Sequence, residues 1–299
     1  MKKIITLICT ILIVVTTLFT IVFFNEFNTS LSVDKITDTN NYYVDVEGNY
    51  YLDDFIKAGG ADSSKNLSNF LSIAITKGCP LVFDVDATYN HVSSTVGTND
   101  STMMKSAKAN SNVLVVKTSP FDRYSSISTV DLSYLNVEEL DISNNLLAMA
   151  ATYFPLDGIN EKGLSASVLL TPREGHTNPS NSSDTDVTET VMLRMILDNA
   201  STIKEAQTLI ENHDLFASGK NEFEFVITDS SGDCLNYKFI SKGDFFATEI
   251  YYTKNEITEL SDIVKEDNFS YGVVYNRVDL TADYYFTKDA TKSSFTVKL

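Results

Sequence analysis

The sequence predicts a layered α+β domain behind one N-terminal apolar helix. Three observations lead there. Ile4 to Phe24 carries no charge and is almost all Ile, Leu, Val, Phe or Thr. Segments with strand-like alternation lie toward both ends of the remaining chain, and between them sit stretches with helical spacing. The chain has 299 residues, 43% of them apolar and only 5 proline, which excludes a disordered or low-complexity protein.

The apolar run matches a hydrocarbon core of ~30 Å at ~1.5 Å per residue. Lys2 and Lys3 precede it, so the positive-inside rule puts the N-terminus in the cytoplasm and the rest outside. A cleaved signal peptide, with the domain then secreted, is the competing reading. The run is longer than a usual signal core, however, and Val22-Phe23-Phe24 offers no small-residue cleavage site. The expectation is a signal anchor over 1–24 and a single-pass cell-membrane protein whose main domain is extracytoplasmic.

Asn25 to Asn49 is polar and reads as a juxtamembrane spacer (25–49), and patterned segments then follow without a long linker as one domain (50–299). Tyr51 to Ala58 reads as a helix stopping at Gly59-Gly60. Ser64 to Lys77 spaces Leu67, Phe70, Leu71, Ala74 and Ile75 on one helical face, with Gly78 as its stop. Val113 to Lys117 and Ser125 to Leu135 are strand candidates, as is Gly163 to Leu170. Pro172 to Asp184 reads as a polar loop. Val187 to Asn199 is a helix, and Thr202-Ile-Lys-Glu205 has the spacing of a capping box opening another. Phe223, Phe225 and Ile227 alternate, Asp229 to Gly232 turns, and Leu235, Tyr237 and Phe239 alternate again, which is a hairpin. Gly272–Tyr275, Ala282–Thr287 and Phe295–Leu299 supply three last strands.

Charge narrows the function classes. With 23 basic against 40 acidic residues the net charge is −17, which argues against a nucleic-acid partner and against electrostatic attraction to anionic lipid. Three cysteines cannot make a disulfide scaffold; Cys9 lies in the apolar run, leaving Cys79 and Cys234, for which one disulfide is open. His91, His176 and His213 are too scattered for a zinc site. Asp184, Asp186 and Glu189 read as a solvated acidic loop rather than a cation site. No phosphate loop, Gly-x-Ser-x-Gly elbow or basic patch occurs, and neither a cofactor nor a metal is expected.

Five segments in order resemble the choloylglycine hydrolase and linear-amide C–N hydrolase family. The most specific is Asp157-Gly-Ile-Asn-Glu-Lys-Gly-Leu164. Thr118–Leu135, Ala200–Leu215, Phe223–Asp233 and Tyr271–Asn276 accompany it. The resemblance implies a four-layer αββα sandwich of the N-terminal-nucleophile type that cleaves non-peptide amides, such as bile-acid conjugates, penicillins or N-acyl amines. It implies an N-terminal Cys nucleophile whose own α-amino group handles the proton, an Arg and an Asp in a G-R-N-x-D segment, and Asn side chains at the oxyanion.

The site departs from that pattern. Cys79 is followed by Pro80 and lacks the Arg/Asp segment. The register set by the flanking elements instead aligns the nucleophile with Ser93 and the Arg/Asp segment with Met103–Lys108, which has neither residue. The resemblance makes Ser93 and Asn160 the candidate catalytic residues, with Cys79 the alternative nucleophile. A plain strand serine, a hairpin-turn asparagine and a structural thiol are the competing readings. Glu249 falls where the family has an Asn, and the stretch from Tyr251 to Asn268 is shorter than the family's. A Ser hydroxyl is a far weaker nucleophile than a thiolate and needs a held base. The expectation is therefore an impaired or lost site, with a small acyl amide or a partner as ligand. An active amide hydrolase using Ser93 is the alternative.

Overall fold

The computed structural model describes residues 2–36, 39–78, 92–97, 101–106, 112–137, 139–141, 145–174, 185–217, 221–242, 245–254, 271–288 and 291–299. The chain starts with helix α1 (Lys2–Val22) and, after Phe23 alone, α2 (Phe24–Leu31). Next come β1 (Asp34–Lys35), β2 (Tyr42–Glu47), α3 (Leu52–Lys57) and α4 (Ser64–Thr76). Then follow β3 (Val92–Gly97), β4 (Ser101–Ser106), β5 (Val113–Ser119), β6 (Ser126–Asp131), α5 (Leu147–Ala151), β7 (Asp157–Asn160) and β8 (Ser165–Glu174). A short β9 (Asp186–Thr188) leads into α6 (Glu189–Asn199), α7 (Ile203–Glu211) and β10 (Asp214–Phe216). The chain ends with β11 (Asn221–Thr228), β12 (Asp233–Lys242), β13 (Phe245–Lys254), β14 (Tyr271–Asn276), β15 (Thr281–Lys288) and β16 (Thr291–Lys298).

Fourteen strands form one hydrogen-bonded sheet that doubles back on itself. Its first part runs β1-β2-β5-β6-β7-β8 and continues through β11, β12 and β13. Its second part is β3-β4-β14-β15-β16, joined to the first, among the described residues, where Val92 of β3 pairs with Leu169 of β8. Side chains of the two parts meet face to face. Tyr284 Oη lies 3.1 Å from Thr129 Oγ1, and Tyr43 packs edge-on to Phe295 at 5.8 Å. Helices cover the outer face of the first part, with α6 on β7 and β8, α7 on β11 and β12, α5 on β5 and α2 on β2. The layered α+β class is thus the one that forms.

Local sequence explains most elements. Ser63 caps α4 by accepting from Asn66 N, and the helix ends where Lys77 and Gly78 both take positive φ. Thr202 accepts from Glu205 N at 3.2 Å, while Glu205 reaches back to Ser201 N at 2.7 Å, so the capping box is made one residue early. The Phe223–Phe239 alternation gives the β11–β12 hairpin in the register Ile227 to Leu235.

Three sequence readings are corrected. Residues 25–49 are not a spacer, since α2 packs on β2, and β2 pairs in parallel with β5 with Tyr42, Val44 and Val46 buried. Polarity misled there because alternate residues of β2 are partly solvated and the buried Glu26 of α2 is paired with Lys77. Val187 belongs to β9, not α6. β8 runs through Pro172 to Glu174, so the loop starts later. The hairpin turn expected at Asn160–Gly163 does form, between the fully buried strand β7 and β8.

Candidate functional site

Three arrangements of polar side chains stand out, and their positions follow from strand alternation. The first is the start of β3. The register there shifts between Val92 and Ser94, so Ser93 occupies a bulge at the point where the two parts of the sheet join. Ser94 pairs with Lys105 of β4, and β4 holds Ser101-Thr-Met-Met-Lys-Ser106 with neither Arg nor Asp. Tyr271 lies one strand further on, since Gly272 pairs with Lys105.

The second arrangement fills the space between the two layers. Asp157 is fully buried and accepts from Tyr271 at 2.6 Å, Tyr275 at 2.5 Å and Thr129 at 2.7 Å. Burial pushes its carboxyl up to about 6, against the pull of those three donors. Burial beside this carboxylate also raises Tyr271 and Tyr275, which remain phenols. Further along, Arg277 donates to Gly163 O at 2.9 Å, to Ser165 Oγ at 2.8 Å and to the hydroxyls of Thr102 and Thr228. Each polar group here is held by other protein groups, an arrangement that fixes the two layers to each other.

The third lies on the helix side of the first layer. Arg194 is fully buried, 2.8 Å from Asp198 and donating to Ser126 Oγ at 2.5 Å. Tyr50 donates to the other Asp198 oxygen, and Arg123 approaches that oxygen at 3.7 Å. Burial raises the Asp198 carboxyl, and Arg194 opposes this. Above the cluster opens a cleft of about 270 Å³ lined by Gly48, Tyr50, Asp53, Phe121 and Arg123. Arg123 closes its floor by pairing with Asp53.

The structure separates the residues that the sequence singled out. Asn160 points to the helix side of β7, away from Asp157. Its amide donates to Leu197 O at 3.0 Å and Ala200 O at 2.7 Å, capping α6, and its Oδ1 accepts from Lys162 N and Leu164 N, both at 3.1 Å. All four positions of that amide are committed to backbone, which is the turn-stabilising role. Ser93 instead adjoins Leu169, further along β8, so Asn160 and Ser93 are not brought together. Cys79 lies outside the described residues, and so does its pairing with Cys234, which is buried with Asn236 Nδ2 at 3.7 Å from its sulfur. Glu249 pairs with Lys238 across β12 and β13. Among the described residues no group of three or more His, Cys, Asp or Glu gathers to hold a metal ion.

Sequence reading missed Asp157 as the centre of a network, and also missed the Arg194–Asp198 pair. Only the second left a signal, an i,i+4 pair whose intervening residues, Met195 to Leu197, are apolar.

A family model described as linear amide C-N hydrolases, choloylglycine hydrolase family, matches residues 99–242. Among solved structures, penicillin V acylase from Agrobacterium tumefaciens is 12% identical with a TM-score of 0.44, over 70% of this chain and 86% of that one. Two variants of conjugated bile acid hydrolase from Clostridium perfringens are each 10% identical. Their TM-scores are 0.41 and 0.43, over 68% and 69% of this chain and 92% of theirs. No curated protein matches. The family match runs from just before β4 to the end of β12, and over that stretch the chain is similar to the linear-amide C–N hydrolases of the choloylglycine hydrolase family.

Proposed function

We propose that the protein is a membrane-anchored, extracytoplasmic relative of the linear-amide hydrolases in which amide cleavage is impaired or lost. Its role on this reading is to bind a small acyl-amide ligand or a protein partner. The observation that carries the reading is the composition of β4. This strand pairs along the strand of Ser93, yet it brings Lys105 opposite Ser94 and no carboxylate or guanidinium. A serine without a held base does not become an effective nucleophile at neutral pH. Lys2 and Lys3 before an apolar helix of mean hydropathy 2.7 support the anchored, outward orientation.

The full-length protein in detergent, offered phenoxyacetyl, bile-acid and N-acyl amino-acid amides, is expected to release no amine above the buffer rate. Its intact mass should retain the residues before Ser93 joined to the rest. Turnover that disappears in Ser93→Ala or Cys79→Ala, together with a chain beginning at either residue, would establish the active hydrolase instead.

A further inference from the structure

The junction between α1 and the domain contains no tether. The helical ladder crosses it through Phe23 N to Phe19 O at 3.0 Å and Phe27 N to Phe23 O at 2.9 Å. The inner side of α2 is fixed to the domain. Glu26 is 1% exposed and ion-paired with Lys77 at 2.6 Å. Asn145 donates to Ser30 O at 3.1 Å, and Ser32 donates to Asp45 O at 2.7 Å. A domain held this way cannot swing clear of whatever surface α1 leaves.

The outer side of the same junction is aromatic. Phe24 and Phe27, three apart and so on one helix face, are 56% and 54% exposed. Phe121, in the β5–β6 connection, is 89% exposed. It borders the same place, because a Cβ built on Gly48 would lie 3.2 Å from the Phe121 ring and 3.4 Å from Asn25 Oδ1. Along a helix rising ~1.5 Å per residue, Phe24 and Phe27 lie about 3 to 8 Å beyond Val22. The headgroup layer spans roughly 5 to 7 Å beyond the hydrocarbon core. Phe is among the residues that interfacial helices bury at the headgroup and acyl boundary, whereas in water its apolar area is unfavourable.

We propose that Phe24, Phe27 and Phe121 form a collar seated among the headgroups of the bilayer that α1 enters, docking the domain on the membrane in one orientation. The proposal rests on α1 spanning the membrane. The contact is apolar rather than ionic, since a chain of net charge −17 is not drawn to anionic lipid. Docking sets the cleft beside Phe121 and Arg123 at headgroup level, so that what enters it comes along the membrane plane.

The chain has no tryptophan, so single-tryptophan reporters test this directly. Full-length Phe121→Trp, Phe27→Trp, Phe19→Trp and Ile250→Trp proteins are reconstituted into phosphatidylcholine vesicles with or without brominated acyl chains. Ile250 is 38% exposed on β13, at the far edge of the first layer, seven strands and so ~34 Å from β2 at about 4.8 Å per strand. The expected result is blue-shifted emission, loss of intensity to bromolipid and protection from acrylamide for F19W, F121W and F27W, with I250W quenched by acrylamide alone. F19W quenched by bromolipid while F121W and F27W behave like I250W overturns the collar and leaves the anchor standing. F19W untouched by bromolipid removes the anchor and the collar together. Bromolipid quenching of I250W equal to that of F121W also overturns the proposal, because contact is then not confined to the collar.

Discussion

Tyr271 donates its hydroxyl to Asp157 across the space between the two layers, at 2.6 Å. The two residues are 114 positions apart in sequence, and the bond ties β14 of the second layer to β7 of the first. Asp157 titrates near 6 because it is fully buried, whereas its ordinary value is 3.8. The folded state therefore keeps a proton that the unfolded chain has already released. Stability from this group is complete below the unfolded value and is lost as pH rises through about 6. The shift corresponds to about 3 kcal/mol at 1.36 kcal/mol per unit.

Asp157→Asn mimics the protonated carboxyl, because its amide can donate to the Tyr271 oxygen while its carbonyl still accepts from Tyr275 and Thr129. Denaturation midpoints between pH 4 and 8 should show a fall for the wild type that is absent or much smaller in the variant. A wild-type profile parallel to that of Asp157→Asn would refute the assignment. Asp157→Ala strands three hydroxyls and should cost ~3 kcal/mol or more at every pH.

Asn160 carries no such pH dependence, and its contribution is geometric. Asn160→Ala removes four side-chain bonds, to two carbonyls of the α6 end and two turn amides, and three of the four are buried. A loss of ~2–4 kcal/mol is expected in urea titration, with little change in slope. Asn160→Asp should be no milder, since a carboxylate would face Leu197 O and Ala200 O. Wild-type stability in either variant would return Asn160 to the list of functional candidates.

Gly158 is where α6 comes close to the sheet. A Cβ there would lie 2.7 Å from Ile127 O and 2.6 Å from Leu197 Cδ1, and the carbonyl cannot move without breaking β6 pairing. Gly158→Ala is expected to cost about 1–3 kcal/mol by overpacking. The paired variant with Leu197→Ala should recover only the part due to the side-chain clash, and thermal melts of the three proteins separate the two contributions.

Elements with a sustained apolar alternation, such as β11 and β12, were legible in the sequence, as was the capped helix at Thr202, whereas β2, whose alternation lies in a polar stretch, was not. Phe223, Phe225 and Ile227 announce a strand without reference to anything distant. The burial of Asp157-Gly-Ile-Asn160 could not be read that way, because it depends on hydroxyls of β6 and β14 and on the backbone at the end of α6. The same holds for Glu26, whose burial depends on Lys77. The position of Ser93 on a strand was legible from the register of its neighbours, while the separation of Asn160 from it was not. Period-two patterning says that Asn160 and Asp157 face opposite ways only once the segment is known to be a strand.

Arg194 and Asp198 give the last prediction, since a buried pair is costly to halve. Arg194→Met leaves Asp198 facing Tyr50 and the more distant Arg123, at a cost of ~3–5 kcal/mol. Losing its nearest cation raises the Asp198 carboxyl further, so the variant takes up a proton on folding and its deficit should shrink as pH falls. Arg194→Met with Asp198→Asn removes the stranded charge and keeps an acceptor for Tyr50. The double variant should be more stable than Arg194→Met alone at pH 8 and should lose the extra pH dependence. Equal stability of the single and double variants across pH 5 to 8 would mean that the carboxylate is not held by Arg194, and that Arg123 with Tyr50 suffices to keep Asp198 charged inside the fold.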